Sequence, residues 1–282
     1  MDGVQGGAPR RSERVAGPRP NGPTRSSLAR VSERGASFGA AAAAYERFRP
    51  GYPSELVDEV LAYAGRPVRT AFEIGAGTGK ATRAFTARGI AVTAGDPDAG
   101  MLVELRRQVP EVTATIVASL EEVLPDRTYD LVFAAASLHW TRAEGRWDRI
   151  AALLPSGGVF ASFGGPTRLA DAALRENVRV ARAPFLPTDD VPSPGGSPDD
   201  DPMQWPGSEL LATRFFRDVR RSVLERRMRM PADDYLGLLS TISAYLVLPD
   251  TTRQATFAAI REVLPDEVDV VADVTVHLAR RV

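Results

Sequence analysis

An α/β fold, in which a mostly parallel sheet is covered by helices on both faces, follows from three features of the chain. Short apolar runs at 71–74, 91–94, 113–117, 129–134 and 159–163 alternate with helical-period stretches near 79–88, 98–108 and 141–154. The runs are apolar at nearly every residue, as a strand buried on both faces must be, and each connection is long enough to hold a crossover helix. The first run also meets its helix through Gly75, Gly77 and Gly79, so the backbone there bends sharply and lets a ligand approach its amides.

Taken in chain order, residues 1–36 are rich in Gly, Pro, Ser and Arg and have too little apolar surface to offset the entropy of ordering. They are expected to form a disordered tail, with the folded domain spanning 37–282. Arg10, Arg11 and Arg14 precede no apolar segment, so the tail does not read as a secretory signal. Phe38, Ala42, Tyr45 and Phe48 fall at helical spacing, and the breaker Arg49-Pro50-Gly51-Tyr52-Pro53 separates them from a second helix over 54–64 with Ser54 as its N-cap. The pair forms an N-terminal helical lid over 37–65. Past Gly164-Gly165-Pro166 the βαβα rhythm stops. A helix is expected over 167–183, and seven prolines with the clusters Asp189-Asp190 and Asp199-Asp200-Asp201 then exclude regular structure over 184–207. The whole of 166–212 reads as an insertion crossing over the active end of the sheet. A strand follows at 219–230, then helices at 232–246 and 251–263. In a last strand at 268–278, Val270, Ala272, Val274, Val276 and Leu278 alternate onto one face.

Composition removes several classes of function. The 282 residues are 44% hydrophobic and 25% charged, with net charge −1 and pI near 6.2, so no global field gathers nucleic acid or an anionic membrane. The absence of cysteine excludes disulfides, thiolate metal sites and cysteine nucleophiles, and two histidines far apart argue against a histidine-rich metal centre. No eighteen uncharged apolar residues run together, so no transmembrane helix is expected and a cytoplasmic location is the default. The acidic triplet at 199–201 has no second carboxylate cluster at a strand end, which makes it a solvated loop and not a magnesium site.

The glycine turn, Glu73-Ile74-Gly75-Ala76-Gly77-Thr78-Gly79-Lys80, has GxGxG spacing. A dinucleotide fingerprint needs its third glycine three positions after the second, and a phosphate loop needs GxxxxGK[ST]; neither is present. A nicotinamide oxidoreductase is therefore a weak rival, and the chain's single lysine, Lys80, leaves no Tyr-x-x-x-Lys relay. The second strand ends in Gly95-Asp96, where a carboxylate either takes both hydroxyls of a ribose or caps the helix that follows.

With these residues in view, the chain resembles the class I S-adenosylmethionine-dependent methyltransferases, in particular the small-molecule group typified by trans-aconitate methyltransferase. The match rests on Glu73-x-Gly75-x-Gly77-x-Gly79 with Lys80-Ala81-Thr82, on Gly95-Asp96 with Met101, and on Ser137-Leu138-His139-Trp140. Phe38, Ala42, Tyr45 and Arg49-Pro50-Gly51-Tyr52-Pro53 match the helix that precedes the core in that group. The resemblance implies a Rossmann-like sheet of seven strands, the last antiparallel, and S-adenosylmethionine as cofactor. It implies that Glu73 holds the cofactor ammonium, that Gly75 and Gly77 let the methionine portion pass, and that Asp96 takes the ribose hydroxyls beside Pro97 and Met101. It places Ser119 and Leu120 at the adenine, where the family commonly has an acid, and it closes Tyr45 and Tyr52 over the sulfonium and the substrate mouth.

Methyl transfer from a sulfonium needs the acceptor held in line more than it needs a strong base. A small-molecule oxygen acceptor, carboxylate or hydroxyl, is favoured over a carbon or nitrogen acceptor of a secondary metabolite; a fold that binds the cofactor without transfer is a further alternative. His139, after the fourth strand, reads either as a base or as a histidine shaping the pocket floor. Trp140 reads as a pocket wall, Trp147 as packing and Trp205 as part of a substrate lid. Arg214, Arg217, Arg220 and Arg221 read as receivers of a substrate anion or as alternating charge on a strand edge. Nucleic-acid and membrane partners are not expected.

Overall fold

The computed structural model describes residues 41–187 and 201–282. The expected tail at 1–36, Phe38, and the acidic pairs Asp189-Asp190 and Asp199-Asp200 lie outside the described residues. Two short N-terminal helices, α1 (Ala42–Phe48) and α2 (Ser54–Ala64), precede an alternating core: β1 (Thr70–Ile74), α3 (Lys80–Thr86), β2 (Ala91–Asp96), α4 (Ala99–Gln108), β3 (Ala114–Val117), β4 (Leu131–Ala135), α5 (Arg146–Ala152) and β5 (Val159–Gly164). Beyond it lie β6 (Arg168–Leu169), α6 (Ala172–Arg182), α7 (Gln204–Ala212), β7 (Phe216–Leu224), β8 (Arg227–Pro231), α8 (Ala232–Ser240), α9 (Ser243–Leu246), α10 (Asp250–Val263), β9 (Glu267–Val271) and β10 (Val274–Arg281).

The main sheet has seven strands in the order β3-β2-β1-β4-β5-β10-β7. The last strand, β10, is antiparallel to both of its neighbours, β5 and β7, as expected. The order reverses at β1, whose neighbours are β2 and β4, so the C-terminal ends of β1, β2 and β4 open one crevice where ligands of such sheets bind. One face packs Phe85, Phe133 and Phe163 with α2 and α3; the other packs Phe72, Val132 and Phe160 with α5 and α7. Both faces are thus buried, which is why β1, β2, β4 and β5 carry apolar side chains without alternation. No helix among the described residues is long and apolar enough to cross a membrane.

A second sheet, β6-β9-β8, is antiparallel and was not expected. The strand expected at 219–230 is two strands, β7 and β8, and the one expected at 268–278 is likewise β9 and β10. β7 pairs with β10 in the main sheet and β8 with β9 in the small one, so a single two-stranded ribbon bends between the layers. At the bend, Arg226 N–H donates to Asp273 Oδ1 at 2.8 Å and Ala272 N–H to Arg226 O at 2.8 Å. Val274, Val276 and Leu278 consequently enter the main core, whereas Val270 joins a separate cluster with Leu169, Tyr235, Leu238, Tyr245 and Ile260. That cluster, carried by the small sheet, α6 and α8–α10, forms a second layer beside the crevice.

Other boundaries also shift. Pro53, not Ser54, stands at the N-cap of α2; its fixed φ suits the position, and the Ser54 hydroxyl bonds Glu55 instead. The helix expected at 167–183 starts at Ala172, after Asp171 caps it and after β6. The stretch expected at 141–154 narrows to α5 behind a 3₁₀ turn at Leu138–Trp140, and the one at 232–246 breaks into α8 and α9. Residues 204–207, expected to be irregular, begin α7, although Trp205 keeps an extended backbone within it.

Candidate functional site

Glu73 sits on β1 facing the crevice and is 1% exposed. Thr82, on α3, donates to its Oε2 at 2.5 Å, while Oε1 is buried without a partner. Burial pushes its carboxyl up to about 8, with Asp96 adding to the rise and the Thr82 bond opposing it. Gly75 and Gly77 follow with φ of +64° and +56°, a region that favours glycine. A Cβ on Gly75 would lie 2.6 Å from the Ser137 Cβ, so that glycine is demanded by packing as well. One on Gly77 would meet nothing within 4 Å, because that side opens into the cleft. Gly79 packs against Leu105 and serves the helix start, not the cleft.

Asp96 ends β2 and is 7% exposed. It accepts from Gly77 N–H at 2.9 Å and Asp98 N–H at 2.8 Å, and burial raises its pKa despite both bonds. Asp98, not Asp96, caps α4, accepting from Gly100 and Met101. Pro97, Met101, Ser119 and Leu120 line the same groove as Asp96, Gly75 and Gly77. The Ser119 hydroxyl already donates to Glu122 at 2.8 Å and retains acceptor capacity. Sequence reasoning missed Glu121, an acid two positions further on that also lines the groove and accepts from Arg142 N–H.

A separate chamber of about 820 Å³ lies between the sheet tips and the second layer. His139, Trp140 and Trp205 all line it, and Trp140 also borders the groove. Burial, with a smaller contribution from Arg146, lowers the His139 pKa to about 4, so the ring is neutral at pH 7. Trp205 is half-buried, and Arg146 lies over its ring at 5.3 Å. Tyr52 is placed elsewhere: it borders Glu73, Gly75 and Gly77, edge-on to Phe163, and does not line the chamber. Burial raises the pKa of its hydroxyl, helped by Tyr45 and Glu73. Tyr45 and Ala136 line the groove, the Glu73 end and the chamber alike, so the three spaces meet between them. Ala136 holds φ at +53°, a strained conformation for a residue with a Cβ.

The chamber differs from expectation in its charged walls. None of Arg214, Arg217, Arg220 and Arg221 lines it; Arg220 covers Tyr63, Arg214 covers Phe215 and Arg221 bonds Gln204. Among the described residues, the arginines that do line it are Arg49, Arg168, Arg175, Arg179 and Arg182, and the acid that does is Glu176. His277, on β10, lines it as well and hydrogen-bonds Met203 O at 2.7 Å. Trp147 packs as expected, edge-on to Phe160, with its indole N–H on Glu209 at 3.0 Å. Among the described residues no group of three or more His, Cys, Asp or Glu could hold a metal ion.

Residues 72–162 match the family described as methyltransferase domain. An uncharacterized methyltransferase of Mycobacterium tuberculosis is 40% identical over 122 residues, which are 43% of this chain and 49% of that protein. A Saccharomyces cerevisiae protein assigned as an S-adenosylmethionine-dependent methyltransferase is 29% identical over 126 residues, 42% of this chain and 43% of its own length. The chain thus spans about half the length of these relatives or less. A solved structure from Anaeromyxobacter dehalogenans, assigned as a type II methyltransferase, is 26% identical, covers 83% of this chain and 98% of its own, and superimposes with a TM-score of 0.58. The fold is accordingly the Rossmann-like one of methyltransferases. The matched segment, 72–162, contains Glu73, Gly75, Gly77, Asp96, Pro97, Met101, Ser119, Leu120, His139 and Trp140, whereas Tyr45, Tyr52 and Trp205 come from flanking segments.

Proposed function

We propose that the protein is an S-adenosylmethionine-dependent methyltransferase acting on a small molecule, with an oxygen acceptor favoured. The observation that carries the cofactor reading is the buried Glu73 oxygen without a partner, beside the open face of Gly77, which borders both the Glu73 end and the groove that Asp96 lines. An isolated buried carboxylate is costly, and a cationic ligand group is the natural partner for it. Glu73 would hold the ammonium, Asp96 the ribose hydroxyls, and Pro97, Met101, Ser119 and Leu120 the adenine. When bound, the cofactor supplies an activated methyl group. The chain then holds the acceptor in line, with Tyr45, Ala136 and Trp140 around the junction and the chamber as the acceptor site.

A carboxylate suits this chamber better than an aliphatic hydroxyl does. His139, at about 4, is neutral but a weak base, and a carboxylate acceptor has no proton to give up. The arginines on the chamber wall favour an anion. A screen of carboxylates, phenols and prenyl compounds with methyl-labelled cofactor tests the reading. Label appearing as a methyl ester is expected. Label on nitrogen or carbon would move the assignment to the alternative acceptors, and cofactor binding without any transfer would make the chain a non-catalytic relative.

A further inference from the structure

Helix α1 touches both layers of the molecule, and one of its residues is held by three groups of the glycine turn and the helix after it. Thr78 Oγ1 donates to Glu46 Oε2 at 2.7 Å, Lys80 Nζ donates to Glu46 O at 2.6 Å and lies 3.4 Å from Oε2, and Arg83 meets Oε1 at 2.5 Å. Thr78 is 1% exposed, and the Glu46 and Lys80 side chains are each 12% exposed, so the contact is largely dry. Two residues on, the other side of the helix is fixed to the second layer. Phe48 packs so closely on Gly237 that a Cβ there would lie 2.5 Å from the ring, and Arg49 donates to Thr241 Oγ1 at 2.8 Å. Tyr45, the neighbour of Glu46, is the only α1 side chain that borders the groove, the Glu73 end and the chamber together.

We propose that Glu46 is a positioning residue: its ion pairs to Lys80 and Arg83 set α1 against the glycine turn and so hold Tyr45 over the junction between cofactor and acceptor. The proposal rests on the methyltransferase reading for what the junction holds, but the latch itself is a property of the chain. Seven residues make α1 too short to be stable alone, so its placement depends on such anchors. A partly buried carboxylate between two cations is worth more than a surface pair, and the cation at its centre is a lysine in a chain whose other 34 basic residues are all arginine.

That single lysine makes the latch measurable. Lys80 carries the only side-chain amine in the chain, so acetylation by an amine-reactive ester, read by peptide mass, reports how often α1 leaves the turn. In the full chain Lys80 is expected to react slowly, and faster as salt rises, because screening weakens the pairs. Glu46→Gln keeps an acceptor for Thr78 but removes the charge. It is expected to react at least ~10-fold faster with the salt dependence gone, and to release S-adenosylhomocysteine ~3- to 10-fold faster in stopped-flow fluorescence. Equal acetylation rates in wild type and a folded Glu46→Gln would overturn the proposal, as would equal release rates. Should Glu46→Gln not fold, Arg83→Met, whose side chain is 47% exposed, carries the same measurements. If wild type fails to bind S-adenosylhomocysteine, the cofactor reading falls while the acetylation comparison still decides the latch.

Discussion

Glu73→Gln separates the proposed ammonium site from a merely structural carboxyl. In the free protein the Glu73 carboxyl titrates near 8 against an ordinary value of 4.5. The folded state therefore holds a proton that the unfolded chain has lost between those values, and stability falls as pH rises from about 4.5 to about 8. At about 1.4 kcal/mol per pH unit the total is at most about 5 kcal/mol. Glutamine cannot titrate, so urea denaturation of the variant should lack that slope. A bound ammonium reverses the preference. With its pKa raised to about 8, the Glu73 side chain is mostly protonated at pH 7, and binding a cation beside Oε1 should release a proton from that fraction. Calorimetric titration of S-adenosylhomocysteine in buffers of different ionisation enthalpy measures the release, and the variant supplies the ligand's own contribution. Wild-type affinity should climb by up to tenfold per unit from pH 6 to 8 and then level, ending ~10- to 100-fold above the variant through the charged hydrogen bond. Parallel pH profiles in the two proteins, or no difference in proton release, would refute the reasoning.

Three further outcomes are expected. Asp96→Ala should weaken S-adenosylhomocysteine by ~1–3 kcal/mol through lost hydrogen bonds to the ribose, with the effect read by calorimetry; because Asp98 is the cap of α4, unchanged affinity would mean that Asp96 serves only to tie Gly77 to the loop. Gly75→Ala combines a left-handed φ with a contact of 2.6 Å to Ser137, so a loss of ~2–5 kcal/mol in urea denaturation is expected, and a loss below ~0.5 kcal/mol would show that the turn adapts. His139→Gln should leave the turnover of a carboxylate acceptor within ~3-fold, since that acceptor needs no base, whereas a drop of ~100-fold or more would make the histidine a required proton acceptor.

The parts of the molecule legible from sequence are those fixed by local rules. The first five strands appear within a few residues of their apolar runs because burial on both faces of β1, β2, β4 and β5 leaves few polar positions in them. The glycine turn was legible because φ near +60° and the Ser137 contact leave little choice of residue at Gly75. The bent ribbon was not. Its alternation continues through 224–227 and 271–274 without a glycine or proline, and the bend is made by Arg226 and Asp273, which are far apart in sequence. The second layer therefore stayed hidden, and with it the chamber. Its wall draws Arg49, Arg175 and His277 from three distant segments, and strand periodicity assigns His277 to a face but not to a cavity. Tyr52 borders the Glu73 end and not the chamber, because its motif fixes its neighbourhood but not which of two adjoining spaces it faces.

The central claim, that the crevice at Glu73 and Asp96 holds a sulfonium nucleoside, is tested most directly by titrating the full chain with S-adenosylmethionine and, separately, with a nicotinamide dinucleotide. Saturable one-to-one binding of the first, with no heat from the second, is predicted. Binding of the dinucleotide alone would contradict the account.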